Sequence, residues 1–114
     1  MSDLFFKTDH GKIFKIWKSC ALTRDMVRFA SSKYIYVSLS QFKIIKTGEE
    51  WFIESLPGTV NPAYINGFML TERTKFKNGD ETLIGNIRKC TGLRLNVLIS
   101  QSYNEEHTLN KLKT

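Results

Sequence analysis

Apolar residues fall along this chain in short runs, many alternating with polar ones at a period of two, and turn-forming residues separate the runs. Leu4-Phe5-Phe6 is the first apolar run, and Asp9-His10-Gly11 supplies a turn. Lys12 to Trp17 follows as a second strand, so the two predict a hairpin. Ser19 to Thr23 reads as a loop. Met26 to Phe29 fits a brief strand, although Leu22, Met26 and Phe29 stand near helical spacing and admit a helix over 21–30. Ala30-Ser31-Ser32 reads as a loop. Lys33 to Ser38 alternates, with Tyr34, Tyr36 and Ser38 on one face and Ile35 and Val37 on the other, which predicts a strand. Phe42 to Ile45 is the next strand, and Thr47-Gly48-Glu49-Glu50 turns the chain into Trp51-Phe52-Ile53.

From Trp51 to Gly85 the punctuation is dense. Pro57-Gly58 breaks the apolar run. Ala63-Tyr64-Ile65 is a short strand closed by Asn66-Gly67, a strong two-residue turn signal. Phe68-Met69-Leu70 comes next, then a second turn at Asn78-Gly79-Asp80, then Thr82-Leu83-Ile84-Gly85. Turns this close leave no room for a helix between them. After a polar, basic connection at Asn86 to Gly92, Leu93 to Ile99 is the last strand. Asn104 to Thr114 reads as a frayed helix or a disordered tail.

About ten or eleven short strands with turn signals between them predict an all-β fold, a sandwich of two stacked sheets or a barrel. A single strand buries too little surface to stand alone. The expected core is Phe14, Ile16, Val27, Ile35, Val37, Phe42, Ile44, Trp51, Ile53, Ile65, Leu83, Leu95 and Val97. The expected division is one domain over residues 1–100 and a polar tail over 101–114.

Composition changes this picture in one respect. With 114 residues, 41% hydrophobic and 25% charged, the chain suits an ordinary globular domain. Its formal net charge of +6 favours anionic partners: nucleic acid, an acidic membrane surface, or phosphorylated protein. The basic residues are scattered, which a solvated surface would also produce. Cys20 and Cys90 make neither a disulfide framework nor a metal set. No basic segment precedes a long apolar one at the N-terminus, and no apolar run approaches a membrane span, so an intracellular, reducing location is expected.

Candidate chemistry is sparse. His10 and His107 lie near opposite ends of the chain, and no nucleophile motif surrounds either thiol. No phosphate loop precedes a helix, and Glu49-Glu50 and Glu105-Glu106 sit in turn or tail positions. The expectation is a protein that is not an enzyme and needs no cofactor or metal. Aromatics interleaved with lysine, as in Phe14-Lys15-Ile16-Trp17-Lys18, and the pair Tyr34 and Tyr36 would suit a platform for single-stranded nucleic acid. Loops at one end of a sandwich would instead suit an anion, given a cation and hydroxyl or amide donors held by rigid strands. Loop positions carrying such groups are Lys18, Ser19, Ser38, Ser40, Thr59 and Asn61.

The ordered set Thr59-Val60-Asn61, Ile65-Asn66-Gly67, Asn78-Gly79-Asp80 and Leu83-Ile84-Gly85 resembles the C-terminal half of the forkhead-associated (FHA) domain. Upstream, that family has a strand ending in Gly-Arg-Ser, then an Asp-hydrophobic pair, then Val-Ser-x-x-His. The matching residues are Trp17-Lys18-Ser19, Asp25-Met26-Val27 and Val37-Ser38-Leu39-Ser40-Gln41. The likeness spans about Leu4 to Ile99. It implies a β-sandwich interaction module of the kind used in signalling, which binds phosphothreonine peptides through its loops. Lys18 and Ser38 would hold the phosphate and Asn61 the peptide backbone. Lys18 stands where the family has Arg, Trp17 where it has Gly, and Gln41 where it has His. Lysine loses one bidentate contact, for which Arg24, Arg28 or Lys33 would compensate. The resemblance also allows a phosphate-independent role in assembling domains of a larger protein.

Overall fold

The first hairpin forms as the pattern requires. In the computed structural model, which describes residues 2–101, strand β1 (Ser2–Thr8) pairs antiparallel with β2 (Ile13–Ile16), Phe6 lying opposite Phe14. Gly11, at φ +86°, makes the reversal, and its N–H donates to the Thr8 carbonyl at 2.9 Å. On its other side β1 pairs with the long strand β10 (Thr91–Gln101), Phe6 opposite Val97. Beyond β10 come β9 (Glu81–Asn86), β6 (Ala63–Ile65) and β7 (Phe68–Met69), giving a six-stranded sheet in the order β2-β1-β10-β9-β6-β7. The second sheet has the order β3-β4-β5-β8, from β3 (Cys20–Thr23), β4 (Ser40–Thr47), β5 (Glu50–Ser55) and β8 (Thr74–Lys75). All pairings between these strands are antiparallel.

The core is what two such sheets enclose when alternate residues turn inward. Leu4 and Phe6 of β1, Leu93, Leu95 and Val97 of β10, Phe42 and Ile44 of β4, and Trp51 and Ile53 of β5 are buried together. Phe6 sits at the centre, its ring 5.7 Å from Phe14, 6.5 Å from Phe42 and 5.8 Å from Phe76. Burying one such ring stabilises the fold by about 1.5–3 kcal/mol. Trp51 adds a polar tie. Its indole N–H donates to Ser2 Oγ at 3.1 Å, and Ser2 Oγ donates to the Glu49 carbonyl at 2.6 Å, fastening β1 to the β4–β5 turn.

The predicted turns carry the far end of the large sheet. Asn66 at φ +49° and Gly67 at φ +85° reverse the chain between β6 and β7. The Asn66 side chain donates to Asp80 Oδ1 at 3.0 Å and accepts from Glu81 N–H at 2.9 Å, while Asp80 Oδ2 accepts from Lys77 N–H at 2.7 Å. The two turns foreseen separately are therefore one network. Gly85 and Gly92 face each other across β9 and β10. A Cβ at Gly85, at φ +156°, would lie 2.2 Å from the Thr91 carbonyl oxygen, so only glycine fits.

Between β3 and β4 the structure departs from the strand pattern. Ser19 to Thr23, expected as a loop, contains β3. Met26 to Phe29 is not a strand: Arg24–Arg28 is a short helix, α1. Thr23 caps it, accepting from Met26 N–H at 3.3 Å. Lys33 to Ser38 is not a strand either, because Ser32–Tyr36 is a 3-10 turn capped by Ser31, which accepts from Lys33 N–H at 3.1 Å. The alternation marks no sheet face here: no residue of Ser32–Tyr36 is buried, and only the flanking Ser31, Val37 and Ser38 are. Val37 is buried, but Ile35, expected in the core, is 64% exposed. Phe6 and Phe76, absent from the expected core, stand at its middle. The tail expected over 101–114 lies outside the described residues except for Gln101, which ends β10. His107 and Glu105-Glu106 also lie outside them.

Candidate functional site

The site is built where the small sheet hands the chain to α1 and receives it back. Thr23, the last residue of β3, lies opposite Ser40, the first residue of β4, after a register shift between Leu22 and Thr23. Arg24 therefore starts α1 directly beside the segment that enters β4. Its Nε donates to the Val37 carbonyl at 2.7 Å. That bond fixes the guanidinium plane, and its two terminal amino groups keep no protein partner among the described residues.

Three hydrogen bonds join the 36–41 segment to the loop at 60–61, and a fourth braces the segment itself. Ser38 N–H donates to Gln41 Oε1 at 2.9 Å, and Gln41 Nε2 donates to the Asn61 carbonyl at 2.7 Å. Asn61 Nδ2 donates to the Tyr36 carbonyl at 2.9 Å, and Val60 N–H donates to Ser38 Oγ at 2.9 Å. Gln41 is 2% exposed, so these bonds form where water does not compete. Expected as a departure from a family histidine, it pins both loops in place. The Ser38 oxygen is held as an acceptor, which leaves the hydroxyl hydrogen to donate outward. The Asn61 Oδ1 atom has no protein partner among the described residues.

Arg24, Ser38, Leu39, Ser40, Gly58 and Val60 line one depression of about 400 Å³. It contains a cation, two hydroxyls and no carboxylate. The nearest acid in sequence, Asp25, turns to Arg28 at 3.5 Å. Of the three cations considered as compensators, Arg28 also lies over the Tyr34 ring at 5.3 Å and Lys33 pairs with Asp9 at 3.6 Å. Arg24 alone of the three lines the depression. A fixed guanidinium with spare donors beside a serine hydroxyl suits a tetrahedral oxyanion.

The residues singled out from the sequence distribute as follows. Ser38 and Ser40 line the depression, and Asn61 is tied to its rim. Thr59 is half-buried and adjoins Val60. Lys18 and Ser19 are exposed; neither lines the depression. Ser19 Oγ accepts from Lys46 N–H at 2.8 Å, and Ser19 shares a neighbouring groove with Ser40. In the sequence Arg24 reads only as a compensator for Lys18, with Ser19 to Thr23 as a loop before it. With β3 there, the strand ends at Thr23, and Arg24 opens α1 with Asp25 next to it.

Burial pushes the Cys20 thiol up, with Lys18 pulling weakly the other way, so it stays protonated at neutral pH. Among the described residues no three of His, Cys, Asp or Glu gather as metal ligands, and no helix is long and apolar enough to cross a membrane.

No family model matches the chain, and no curated protein matches it. Solved structures do. An engineered FHA domain with a Myc-pTBD peptide superposes at TM-score 0.69 and 14% identity, over 91% of this chain and 96% of that one. An FHA domain from a structural and functional analysis of phosphothreonine-dependent interactions gives 0.67 at 16%, over 87% and 98%. The FHA domain of an Arabidopsis thaliana protein gives 0.66 at 16%, over 89% and 88%. The shared property at these identities is the fold, and this chain has the β-sandwich fold of FHA domains.

Proposed function

We propose that the chain is a phosphopeptide-binding interaction module, with phosphothreonine as the favoured residue. The observation that carries this reading is the Arg24 guanidinium, anchored through Nε to Val37 and open at both terminal nitrogens beside the Ser38 hydroxyl. Arg24 supplies the paired donors for the phosphate and Ser38 adds a third. Ser40 borders the same space. Asn61 offers Oδ1 to a peptide N–H, and Thr59 adjoins the loop that carries it. The exposed side chains of Leu39 and Val60 flank the depression and fit the methyl group that distinguishes phosphothreonine from phosphoserine. Lys18 contributes charge from a distance. The FHA-fold structure with a Myc-pTBD peptide and the one described for phosphothreonine-dependent interactions support the same reading.

The test is a titration of matched phosphothreonine and unphosphorylated peptide libraries. Binding at least tenfold tighter to the phosphorylated set is expected, the equivalent of about 1.4 kcal/mol. Equal binding to both rejects the proposal and favours assembly through a phosphate-independent surface. Retention of single-stranded nucleic acid that falls steeply with salt would instead favour the nucleic-acid reading.

A further inference from the structure

A second concavity adjoins the depression that Arg24 and Ser38 share. It is a groove of about 700 Å³ on the outer face of the four-stranded sheet, with Ala21, Ile45, Leu56 and Pro57 as its apolar wall and Lys43 as its charge. The pleat explains its composition. Phe42 and Ile44 turn into the core, so Lys43 and Ile45 turn out, and Lys43 lies opposite Ala21 on β3 and Glu54 on β5. Alanine at that position leaves the floor low. The Leu56-Pro57 segment, leaving β5, raises the wall.

The groove and the depression adjoin. Ser40 lines both, and Pro57 of the groove is followed by Gly58 of the depression. Asn61 lines a third concavity with Pro62, Met69 and Arg88, which shares Val60 with the depression but shares no residue with the groove. A peptide anchored by its phosphate thus has two ways out, one over Asn61 and one along Ala21 and Lys43. No carboxylate lines the groove. Glu54, the acid beside Lys43 on that face, is already engaged with Arg73 at 3.2 Å, and Lys43 has no ion partner among the described residues.

We infer that this groove is a specificity subsite for the flank of the phosphopeptide that leaves the phosphate on the side away from Asn61, and that it selects an apolar residue next to an acidic one. This rests on the phosphopeptide reading above. The apolar side chain covers Ala21, Ile45, Leu56 and Pro57, and the carboxylate meets Lys43. Ser19 lines the groove, and the adjacent exposed Lys18 adds positive charge and so to the preference for acid.

The experiment uses a phosphothreonine peptide with alanine flanks, and versions in which a Leu-Glu pair is stepped along each flank. Affinities are measured for the wild-type chain and for Lys43→Glu, whose exposed site leaves the core untouched. One register on one flank should tighten binding about fivefold, the size of an exposed ion pair with a small apolar contact. Lys43→Glu should remove that gain and transfer it to the matching Leu-Lys peptide, while the alanine-flanked peptide shifts by no more than about twofold through screened long-range charge. If no register helps, or the gain survives in Lys43→Glu while phosphate dependence stays intact, the subsite is overturned and the phosphopeptide reading stands. If phosphorylated and unphosphorylated peptides bind alike, both fall.

Discussion

The stretch from Trp51 to Gly85 and the stretch from Trp17 to Ser40 are built on opposite principles. The first is strands joined by turns whose residues dictate their own geometry. Asn66-Gly67 supplies the backbone angles it needs, and the Asn66–Asp80 network locks two turns together. The second passes from a short strand to a five-residue helix to a 3-10 turn, each held by one serine or threonine cap and by contacts with the rest of the fold. The first supplies rigidity. The second supplies the spare donors, Arg24, Ser38 and the Ser40 hydroxyl, while the first adds the acceptor Asn61 Oδ1. The donors proposed for binding lie in the segment whose conformation is imposed from outside, because a chain satisfied by its own turns has few donors left to offer.

Breaking the scaffold should give the largest effect. Gly85→Ala forces a Cβ against the Thr91 carbonyl and should lower stability by about 3 kcal/mol or more, read as the urea unfolding midpoint. An unchanged midpoint would mean that β9 and β10 are looser than the structure has them. Cutting the link between the scaffold and the binding segment comes next. Gln41→Ala strips the Ser38 N–H and the Asn61 carbonyl of their buried partner. It should cost about 2 kcal/mol of stability and weaken peptide binding as well, since both loops are freed. A stability loss with unaltered affinity would show that the loops hold their positions without it. Lys18→Ala sharpens the comparison at the small end. An exposed cation outside the depression should change phosphopeptide affinity by about twofold or less.

Much of the fold could be read in advance, and the reasons are local. The β6–β7 hairpin, the Asn78-Gly79-Asp80 turn and the strands after it follow from residues whose preferences act over three or four positions. The alternation at Leu93, Leu95 and Val97 fixed the inner face of β10. The segment around α1 was not legible in the same way. Lys33 to Ser38 alternates as a strand would, but it pairs with no strand among the described residues, and a 3-10 turn forms over Ser32–Tyr36 instead. Of the proposed site, only part is legible in the sequence. Ser38 and Asn61 stand out as polar residues between apolar runs. Arg24 becomes visible as the cation only once β3 is known to end at Thr23, because the register of β3 against β4 brings it beside Val37 and Ser38. Gln41 could not be read as a bridge without knowing that two distant loops meet.

The central claim is that Arg24, and not Lys18, supplies the cation that meets a phosphate. Its most direct test is isothermal titration of one phosphothreonine peptide into the wild-type chain, Arg24→Ala and Lys18→Ala. Arg24→Ala should lose about 100-fold in affinity, the scale of a paired charge-assisted contact, and bind phosphorylated and unphosphorylated peptide alike, while Lys18→Ala stays within about twofold of the wild type. Phosphate-dependent binding that survives in Arg24→Ala, or disappears in Lys18→Ala, would contradict the account.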